Sequence, residues 1–390
     1  MVLDLADAAF WRDPHPVLAA ARAEHPIAVG PAGDVMVLGH PEVERVLRDP
    51  RMVTVDLLVS SGIVDGPLHD WWAQVMFSTD PPHHTRLRRL VSRAFTPKAV
   101  EQLRPAIVGI TDELLDAMAP DDTAELVGAF AHELPIRVMS RLLAVPAEEH
   151  EVFGRWTADL GLVFSPVVAP ELRAHLERTI AELTAYVEDL IRRRRADPGP
   201  DLLSALIAVE DGGDRLSADE LVAMVENLLF AGHDTTRSLL MIGAHLLLEH
   251  PDVRASLVED PGRAAAVVEE ILRFEPPVLG TARRVTDDIE LAGVALPAGT
   301  ALSTNLLAAN RDPRVFGHPD RFDVTRDASR HLAFGHGIHH CLGAALARAE
   351  AQSALARLCA RFPRMELAAA PAWTPYASIR RFSSLEVRLR

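Results

Sequence analysis

The sequence predicts a mainly α-helical protein with a small β region. Apolar residues recur with a period of 3.6 residues through most of the chain, which is the pattern of amphipathic helices. One stretch, residues 217–249, is apolar nearly all round, and as a helix its roughly 33 residues would span about 50 Å. A helix that is apolar on every side belongs inside the core, so we expect this one to run through the centre of the molecule.

The remaining elements follow from local patterns. Further helices are predicted at residues 14–24, 41–48, 80–90, 105–118, 131–143, 148–160, 170–195 and 342–362. A small hairpin is predicted over 27–37, strands at 288–296 and 300–306, and β structure over 361–390. Residues 52–77 are predicted to be irregular, and the apolar, proline-interrupted segment 161–168 is a candidate mobile lid.

Composition limits the class of protein. A length of 390 residues by itself favours two or three domains. The net charge of −15 argues against a nucleic-acid or anionic-membrane partner, and no apolar run reaches the eighteen residues of a membrane span. The N-terminus does not resemble a signal peptide, and two cysteines do not make a disulfide framework. We therefore expect a cytoplasmic protein.

The loop at residues 334–343 contains Cys341, one of only two cysteines, among three glycines and three histidines. The positive end of a following helix would favour its thiolate. Three kinds of site fit this pattern: a buried structural cysteine, a zinc site, and a haem held by one thiolate. The zinc site is disfavoured because the histidines are crowded and no second CxxC or HxxxH element completes a tetrahedral set.

This loop resembles the haem-binding loop of the cytochrome P450 family, whose pattern is Phe-x-x-Gly-x-x-x-Cys-x-Gly. Phe334, Gly337, Cys341 and Gly343 fill the four constant positions. The resemblance implies a haem b cofactor with Cys341 as the iron ligand, and with Phe334 and Gly343 beside the haem. Cys359, in the following helix, is expected to be an inert buried thiol.

A second motif begins at Asp80-Pro81-Pro82. Four residues separate His84 from Arg88, so both lie on one helix face, which is either a solvated basic face or a clamp for carboxylates. The stretch resembles the family element Asp-Pro-Pro-x-His-x-x-x-Arg, which binds the haem propionates. The resemblance adds Arg283, with Arg284 as the alternative, and His339 to the propionate-binding residues.

The same helix carries further basic residues. Arg86, Arg89 and Arg93 form a local basic cluster in an acidic chain. By resemblance, these residues face the proximal surface, where an acidic ferredoxin could dock.

The middle of the long helix contains a polar notch at residues 231–236. A threonine hydroxyl can bond back to the carbonyl one turn earlier and open the helix, giving either a simple kink or a proton-relaying acid–alcohol pair. The notch resembles the family element Ala-Gly-x-(Asp/Glu)-Thr, which implies catalytic roles for Asp234 and Thr235 and space above the haem at Ala231. Leu228 is a candidate pocket residue, and Asn227 either binds substrate or satisfies a backbone group.

The remaining candidates are assigned by their position after the long helix. Glu270 and Arg273 resemble the family's Glu-x-x-Arg ion pair, against which Arg321 of the following irregular segment is expected to pack. The pair is expected to be structural. Leu279, Thr281 and Ile379 are candidate pocket residues, and the loop carrying Trp71 and Trp72 either packs on the core or lines the pocket.

The resemblance covers essentially the whole chain, so residues 1–390 are expected to form one P450 domain despite the length. It implies a monooxygenase that inserts one oxygen atom from O2 into a mainly hydrophobic small molecule. Electrons would come from NAD(P)H through a ferredoxin and its reductase, because no redox domain is fused. The alternatives are a related enzyme for phenol coupling, desaturation or nitration, and a non-catalytic haem-binding protein.

Overall fold

The computed structural model describes residues 3, 8–30, 33–165, 168–211, 213–374 and 379–389. Their helices are α1 (Ala8–Arg12), α2 (His15–Glu24), α3 (His40–Arg48), α4 (Leu57–Ser60), α5 (Pro67–Gln74), α6 (His83–Ala94), α7 (Pro97–Met118), α8 (Glu133–Leu143), α9 (His150–Leu160), α10 (Pro170–Ala196), α11 (Leu202–Ala208), α12 (Ala218–Glu249), α13 (Pro251–Glu259), α14 (Ala264–Phe274), α15 (Leu306–Ala309) and α16 (Ala344–Arg361).

The strands are short. They are β1 (Ile27–Val29), β2 (Val35–Val37), β3 (Met52–Thr54), β4 (Thr123–Glu125), β5 (Glu210–Asp211), β6 (Asp214–Arg215), β7 (Gly280–Val285), β8 (Ile289–Leu291), β9 (Val294–Leu296), β10 (Ala301–Asn305), β11 (Glu366–Leu367), β12 (Ala372–Trp373), β13 (Phe382–Ser384) and β14 (Glu386–Arg388). The prediction of a mainly α-helical fold with a small β region is confirmed.

Helix α12 runs through the core, as the sequence predicted. It begins at a capping box, in which the Ser217 side chain accepts from the Glu220 N–H and the Glu220 side chain accepts from the Ser217 N–H. Helices α8, α9, α10, α14 and α16 all pack against it. Because neighbours surround it, apolar residues are needed on every side.

The largest sheet has the strand order β1-β2-β10-β7-β3. Its strands β1 and β2 form the predicted antiparallel hairpin, in which Ile27 pairs with Val37. The single strand predicted at 288–296 is instead a second hairpin, β8 and β9, which turns at Ala292 and Gly293 with φ of 48° and 80°. Alternation of apolar residues continued across this tight turn and concealed it.

Other boundaries also differ from the sequence prediction. Helix α7 begins eight residues earlier than the predicted 105, because the Thr96 side chain caps it by accepting from the Ala99 N–H and Pro105 is accommodated inside it. The segment 52–77, predicted to be irregular, contains β3, α4 and α5. The candidate lid contains a 3-10 helix, Gly161–Phe164, while its residues 166 and 167 lie outside the described residues.

No helix in the part of the chain that the structure describes is long and apolar enough to cross a membrane.

Candidate active site

The loop at residues 334–343 presents the Cys341 side chain just before α16. The Cys341 N–H donates to the Phe334 carbonyl at 2.9 Å and closes the loop. Gly337 has φ of 71°, a conformation that favours glycine, and a Cβ there would lie 2.2 Å from the Leu47 carbonyl oxygen. The loop therefore packs directly against the backbone of α3, which only glycine permits.

The two cysteines differ in access. Cys341 is exposed, so the buried structural cysteine considered from the sequence is not what forms. The thiol nevertheless has protein atoms around it: burial raises the pKa of Cys341, while the N–H groups of Gly343 and Ala344 and the charge of Arg88 favour the thiolate. Cys359 is 0% exposed and burial raises its pKa to about 12, as expected of an inert thiol.

The zinc arrangement is not formed either. Within the described ranges, no three His, Cys, Asp or Glu side chains gather as they would around a protein-bound ion. The histidines of the loop instead point to different partners. His336 lies 3.6 Å from Glu44, and the His339 ring lies beside that of His84 with the two planes tilted by 44°.

Phe334 is held by a network that the sequence did not reveal. The Arg348 guanidinium lies 4.5 Å from the centre of the Phe334 ring. Arg348 also donates two hydrogen bonds to Glu269, at 2.6 and 2.9 Å, and His331 pairs with the same carboxylate at 3.1 Å. Burial raises the pKa of Glu269, but the hydrogen bonds from His331 and Arg348 outweigh it and hold the pKa at about 2. The adjacent acids at 269 and 270 were the only sequence signal for this anchor.

Four nitrogen-bearing side chains from three segments meet beside the loop: His84, Arg88, Arg283 and His339. The rings of His84 and His339 are 4.1 Å apart, and Arg88 donates to the carbonyl of His340 at 2.7 Å. Arg283 is buried on β7, where it donates to its neighbour's carbonyl, whereas Arg284 on the other face is exposed.

These four groups, called the cation cluster below, have few carboxylates near them. Burial lowers the pKa of His339 to about 4, and the fields of His84 and Arg283 act in the same direction. The nearest carboxylate is Asp80, 3.9 Å from His339, and its oxygens accept from Thr54. The Nδ1 of His84 and both ring nitrogens of His339 have no hydrogen-bond partner among the described residues. The cation cluster is therefore suited to binding an anion.

The notch of α12 brings Thr235 and Ala231 together. The Thr235 hydroxyl donates to the Ala231 carbonyl at 2.9 Å, which is the back-bond that the sequence suggested. The helix is nevertheless α-helical without interruption from Ala218 to Glu249, so the bond does not open it. Ala231 is exposed although Phe230 and His233 beside it are buried, so this turn of the central helix borders open space.

The structure shows no hydrogen bond between the side chains of Asp234 and Thr235, which have different partners. The Asp234 Oδ2 accepts from Arg381 at 2.8 Å, and its Oδ1 lies 3.6 Å from Arg237 and 3.7 Å from His233. A Cβ on Gly161 would lie 2.6 Å from Oδ2, so the first residue of the candidate lid contacts this carboxylate. Arg381, Arg237 and His233 were not identified from the sequence as partners of Asp234.

The candidate pocket residues are only partly brought together. The Asn227 Oδ1 accepts from the Met76 N–H at 3.3 Å, so of its two interpretations the structure forms the contact with a backbone group. Ile379 pairs with Val278 in an isolated antiparallel bridge. The Thr281 and Thr304 hydroxyls lie 3.2 Å apart. Leu228 is half-buried. Leu279 packs on a cluster of buried apolar residues that includes Phe10, Leu18 and Leu38.

An aromatic cluster around Phe230, the residue before Ala231, was not predicted from the sequence. It comprises Trp72, Phe77, Phe164 and Phe230. The Phe230 ring stacks on Phe164 at 5.4 Å and on Phe77 at 6.0 Å, so the candidate lid and the 52–77 segment both pack on α12. Trp71 and Trp72 are buried, so of the two alternatives for the segment 52–77 the structure shows these side chains packed on the core.

The ion pair of Glu270 and Arg273 is fully buried, with both side chains 0% exposed. Arg273 donates to Glu270 at 2.7 and 2.8 Å and to three backbone carbonyls, one of which belongs to Arg321. Arg321 therefore meets the pair through its backbone, and its side chain is exposed. A second guanidinium near Glu270, in addition to that of Arg273, belongs to Arg326, at 3.5 Å.

The basic residues of α6 are partly neutralised. Arg86 pairs with Asp214 at 2.9 Å and with Glu220 at 2.6 Å, and Arg89 pairs with Asp214 at 3.2 Å. Arg93 is exposed on the same helix. The hairpin of β5 and β6, which supplies Asp214, was not predicted.

The chain matches known proteins over nearly its whole length. The family model described as cytochrome P450 matches residues 26–368. A vitamin D(3) 25-hydroxylase from Pseudonocardia autotrophica is 42% identical over 94% of this chain and 90% of its own length. A 6-deoxyerythronolide B hydroxylase from Saccharopolyspora erythraea is 42% identical over 91% of this chain and 90% of its own.

Solved structures show the same fold. The crystal structure of CalO2 superposes with a TM-score of 0.94 at 33% identity, covering 100% of this chain and 99% of that one. P450BioI in complex with an acyl-carrier protein bearing hexadec-9Z-enoic acid gives 0.93 at 33% identity, covering 99% and 100%. Such agreement over the whole fold, with a thiol presented by a P450-like loop, shows that this chain belongs to the bacterial cytochrome P450 family and is a haem-dependent monooxygenase.

Proposed function

We propose that the chain, acting as one domain over residues 1–390, binds haem b and inserts one oxygen atom from O2 into a C–H or C=C bond of a mainly hydrophobic small molecule. The observation that carries the proposal is the position of Cys341, an exposed residue, beside the cation cluster, whose Arg88 donates to the carbonyl of the preceding His340. A thiolate ligand and an anion-binding site are the two things that a thiolate-bound haem with two propionates requires.

The cation cluster fits the propionates. Leaving a buried polar nitrogen unpaired costs about 1–3 kcal/mol. Three such nitrogens on His84 and His339, next to the half-buried Arg88 and the buried Arg283, would be satisfied by two carboxylates. We assign these four residues to the propionates and Cys341 to the iron.

The faces of the haem would be bordered by small or flat groups. Ala231 offers exposed surface on α12, and Gly343 leaves the region of the sulfur uncovered, since its Cβ position would be 4.0 Å from the Cys341 Sγ. The Phe334 ring, supported by Arg348, lies in the cysteine loop. We assign Ala231 to the distal side and Phe334 and Gly343 to the proximal side.

The chemistry divides between cofactor and chain. A thiolate-bound haem supplies the activation of O2, because the thiolate favours O–O cleavage. The chain supplies protons and excludes bulk water. The Thr235 hydroxyl donates to Ala231, so its oxygen can accept a hydrogen bond from a water molecule in the open space there. The buried Asp234 carboxyl, one residue away, is the proposed source of protons.

A mainly hydrophobic substrate is supported by the aromatic cluster, since Phe77 and Phe164 stack on Phe230, the residue before the exposed Ala231. The names of similar proteins point the same way. They include hydroxylases of vitamin D(3) and 6-deoxyerythronolide B, and structures in complex with testosterone and myristic acid. We propose Leu228, Leu279, Thr281 and Ile379 as further pocket residues.

Electrons are proposed to come from NAD(P)H through a reductase and an acidic ferredoxin that docks near α6, in the cytoplasm. Arg93 supports this assignment because it is exposed there. Arg86 and Arg89 contribute less to such a surface, because carboxylates within the chain already neutralise them.

The first experiment tests the iron ligand. Cys341→Ser is expected to abolish the carbon-monoxide spectral signature of thiolate-bound haem, while Cys359→Ala retains it because that thiol is buried in α16. Retention of the signature by Cys341→Ser would refute the assignment.

The second experiment identifies the substrate class and the reaction. The ferric spin state is titrated against terpenoids, fatty acids, macrolides, aromatics and cyclic peptides, and active compounds are turned over under isotopic O2. Isotope in the product supports oxygen insertion. Product without isotope indicates coupling or desaturation instead.

A further inference from the structure

We propose that His132 and His233 form a proton relay from solvent to Asp234, so that the proton supply of the active site runs through two imidazoles. The inference rests on the proposed role of Asp234 and Thr235. It adds His233, which fills the variable position of the notch motif, and His132, which lies outside that motif. Both act through Asp234 and neither is placed against the substrate.

The first step of the path is a direct hydrogen bond. The Nε2 of His233 lies 3.1 Å from the Nδ1 of His132, and the two rings meet edge to face with centres 4.8 Å apart. His233 belongs to the central helix and is 1% exposed. His132 ends the π-helical turn Val127–His132 and is half-buried, so solvent reaches its ring. The pair therefore connects the surface with the core.

The second step joins His233 to Asp234. The Nδ1 of His233 faces the Oδ1 of Asp234 at 3.7 Å. Neither atom has a hydrogen-bond partner among the residues described. The separation is too long for a hydrogen bond, but a small side-chain rotation closes it. Since two unpaired buried polar atoms face each other, closing this gap also removes the penalty of leaving them unsatisfied.

The surrounding charges keep the carboxylate in place and the rings neutral. Arg381 and Arg237 flank Asp234, and Glu133 lies beside His132. Burial lowers the pKa of His233 to about 4. His132 and Arg237 also lower the pKa of His233, whereas the charge of Asp234 raises it. Burial also lowers the pKa of His132, with Arg237 adding to it and Glu133 and Asp234 opposing it. A neutral imidazole has one N–H and one bare nitrogen, which is what a relay needs.

One pass moves one proton and leaves no ring charged. A proton from water binds the Nε2 of His132 as the proton on its Nδ1 passes to the Nε2 of His233. The proton on the Nδ1 of His233 then passes to the Oδ1 of Asp234. Both rings then reorient before the next pass, because the buried His233 cannot exchange protons with water directly.

The alternative is that the two histidines only hold α12 against the π-helical turn. His132→Gln separates the two roles, because glutamine can keep a hydrogen bond to His233 but cannot pass a proton through its side chain. His132→Phe removes both functions. His175→Phe on α10 is the matched control, since the His175 side chain is 42% exposed and pairs with Asp159, far in sequence from the notch.

The first readout does not involve turnover. In the reduced, carbon-monoxide-bound holoenzyme with ¹⁵N-labelled histidine, NMR should show a hydrogen shared between His132 and His233, with both rings neutral at pH 7. His132→Phe should change the tautomer or pKa of His233, and His175→Phe should not. Two rings that titrate independently would overturn the relay.

The second readout is product and H2O2 formed per NADH, in H2O and in D2O, between pH 6 and 9. The substrate is the compound with the largest spin-state change; if none changes it, H2O2 released per O2 is measured without substrate. His132→Gln is expected to raise the H2O2 fraction about tenfold, less than the full effect of positioned proton transfer because water substitutes in part. Its solvent isotope effect should also be larger, with an unchanged carbon-monoxide spectrum.

Two results are decisive here. If Thr235→Ala raises the H2O2 fraction but His132→Gln behaves as wild type at every pH, the relay is wrong and the acid–alcohol pair stands. If neither variant changes coupling, the proposed roles of Asp234 and Thr235 fail, and the relay fails with them.

Discussion

The buried carboxyl of Glu226 joins three helices and should make the stability of the protein depend on pH. It lies on α12, accepts from the Trp71 indole N–H of α5 at 3.1 Å, and accepts from the Thr184 hydroxyl of α10 at 2.6 Å. Burial raises the pKa of Glu226 from 4.5 to about 7; the two hydrogen bonds oppose this rise, and the charge of Glu188 adds to it.

The sign follows from proton linkage. A carboxyl whose pKa is raised on folding stabilises the fold fully below its unfolded pKa, and that contribution is lost as pH rises through the folded value. The rise from 4.5 to about 7 corresponds to about 3 kcal/mol. Glu226→Gln imitates the protonated acid, since its carbonyl can accept from Trp71 and its amide can donate to Thr184. Between pH 5 and pH 8 the free energy of unfolding of the variant should therefore rise by about 2.5 kcal/mol relative to that of the wild type.

The assay is the melting temperature of the haem-bound protein from pH 5 to pH 8. The melting temperature of the wild type should fall by a few degrees relative to that of Glu226→Gln across this pH range. Glu182→Gln is the matched control, because Glu182 also accepts from an indole N–H, that of Trp156 at 2.9 Å, but is exposed. Parallel curves for wild type and Glu226→Gln would refute the reasoning, as would an equal effect of Glu182→Gln.

Two further predictions concern the support of the cysteine loop. Arg273→Ala leaves Glu270 charged and fully buried, so it should destabilise the protein by about 3–5 kcal/mol and lower the haem content of the purified protein. Arg104→Ala breaks an exposed pair of the same spacing and should do neither. Normal haem content in Arg273→Ala would contradict this prediction. Gly337→Ala places a Cβ 2.2 Å from a backbone oxygen and should weaken the carbon-monoxide spectrum of thiolate-bound haem. Gly293→Ala has a similar positive φ but nothing within 4 Å of the new Cβ, so it should leave that spectrum intact. Equal spectra in the two variants would show that the clash with the backbone is not decisive.

Much of the architecture could be predicted because it depends on local patterns. The capping box at Ser217 and the unbroken apolar character after it were enough to identify α12 as the core helix. The resemblance to the P450 motifs also implied that Cys341, His84, Arg88, Arg283 and His339 belong together, although they come from distant segments. The roles of these residues toward haem remain predictions.

Errors arose where local patterns were ambiguous. The alternation at 288–296 fits one strand or two short ones, and only the turn at Gly293 distinguishes them. The Thr235 back-bond was expected to open α12, but the helix remains intact. The side chain expected beside Glu270 was that of Arg321, whereas Arg326 supplies the second guanidinium. In irregular segments, side-chain direction has no period that a sequence can reveal.

By itself, the sequence determined the family, the loop that presents Cys341, and the helix that crosses the core, because each is encoded by residues close together in the chain. Tertiary structure alone decided which groups surround Asp234 and Glu226. His132 is 101 residues from His233, Arg381 is 147 from Asp234, and Trp71 is 155 from Glu226. Burial and the field of such distant neighbours set the pKa of each group and the possible path of a proton, and these exist only once the chain has folded.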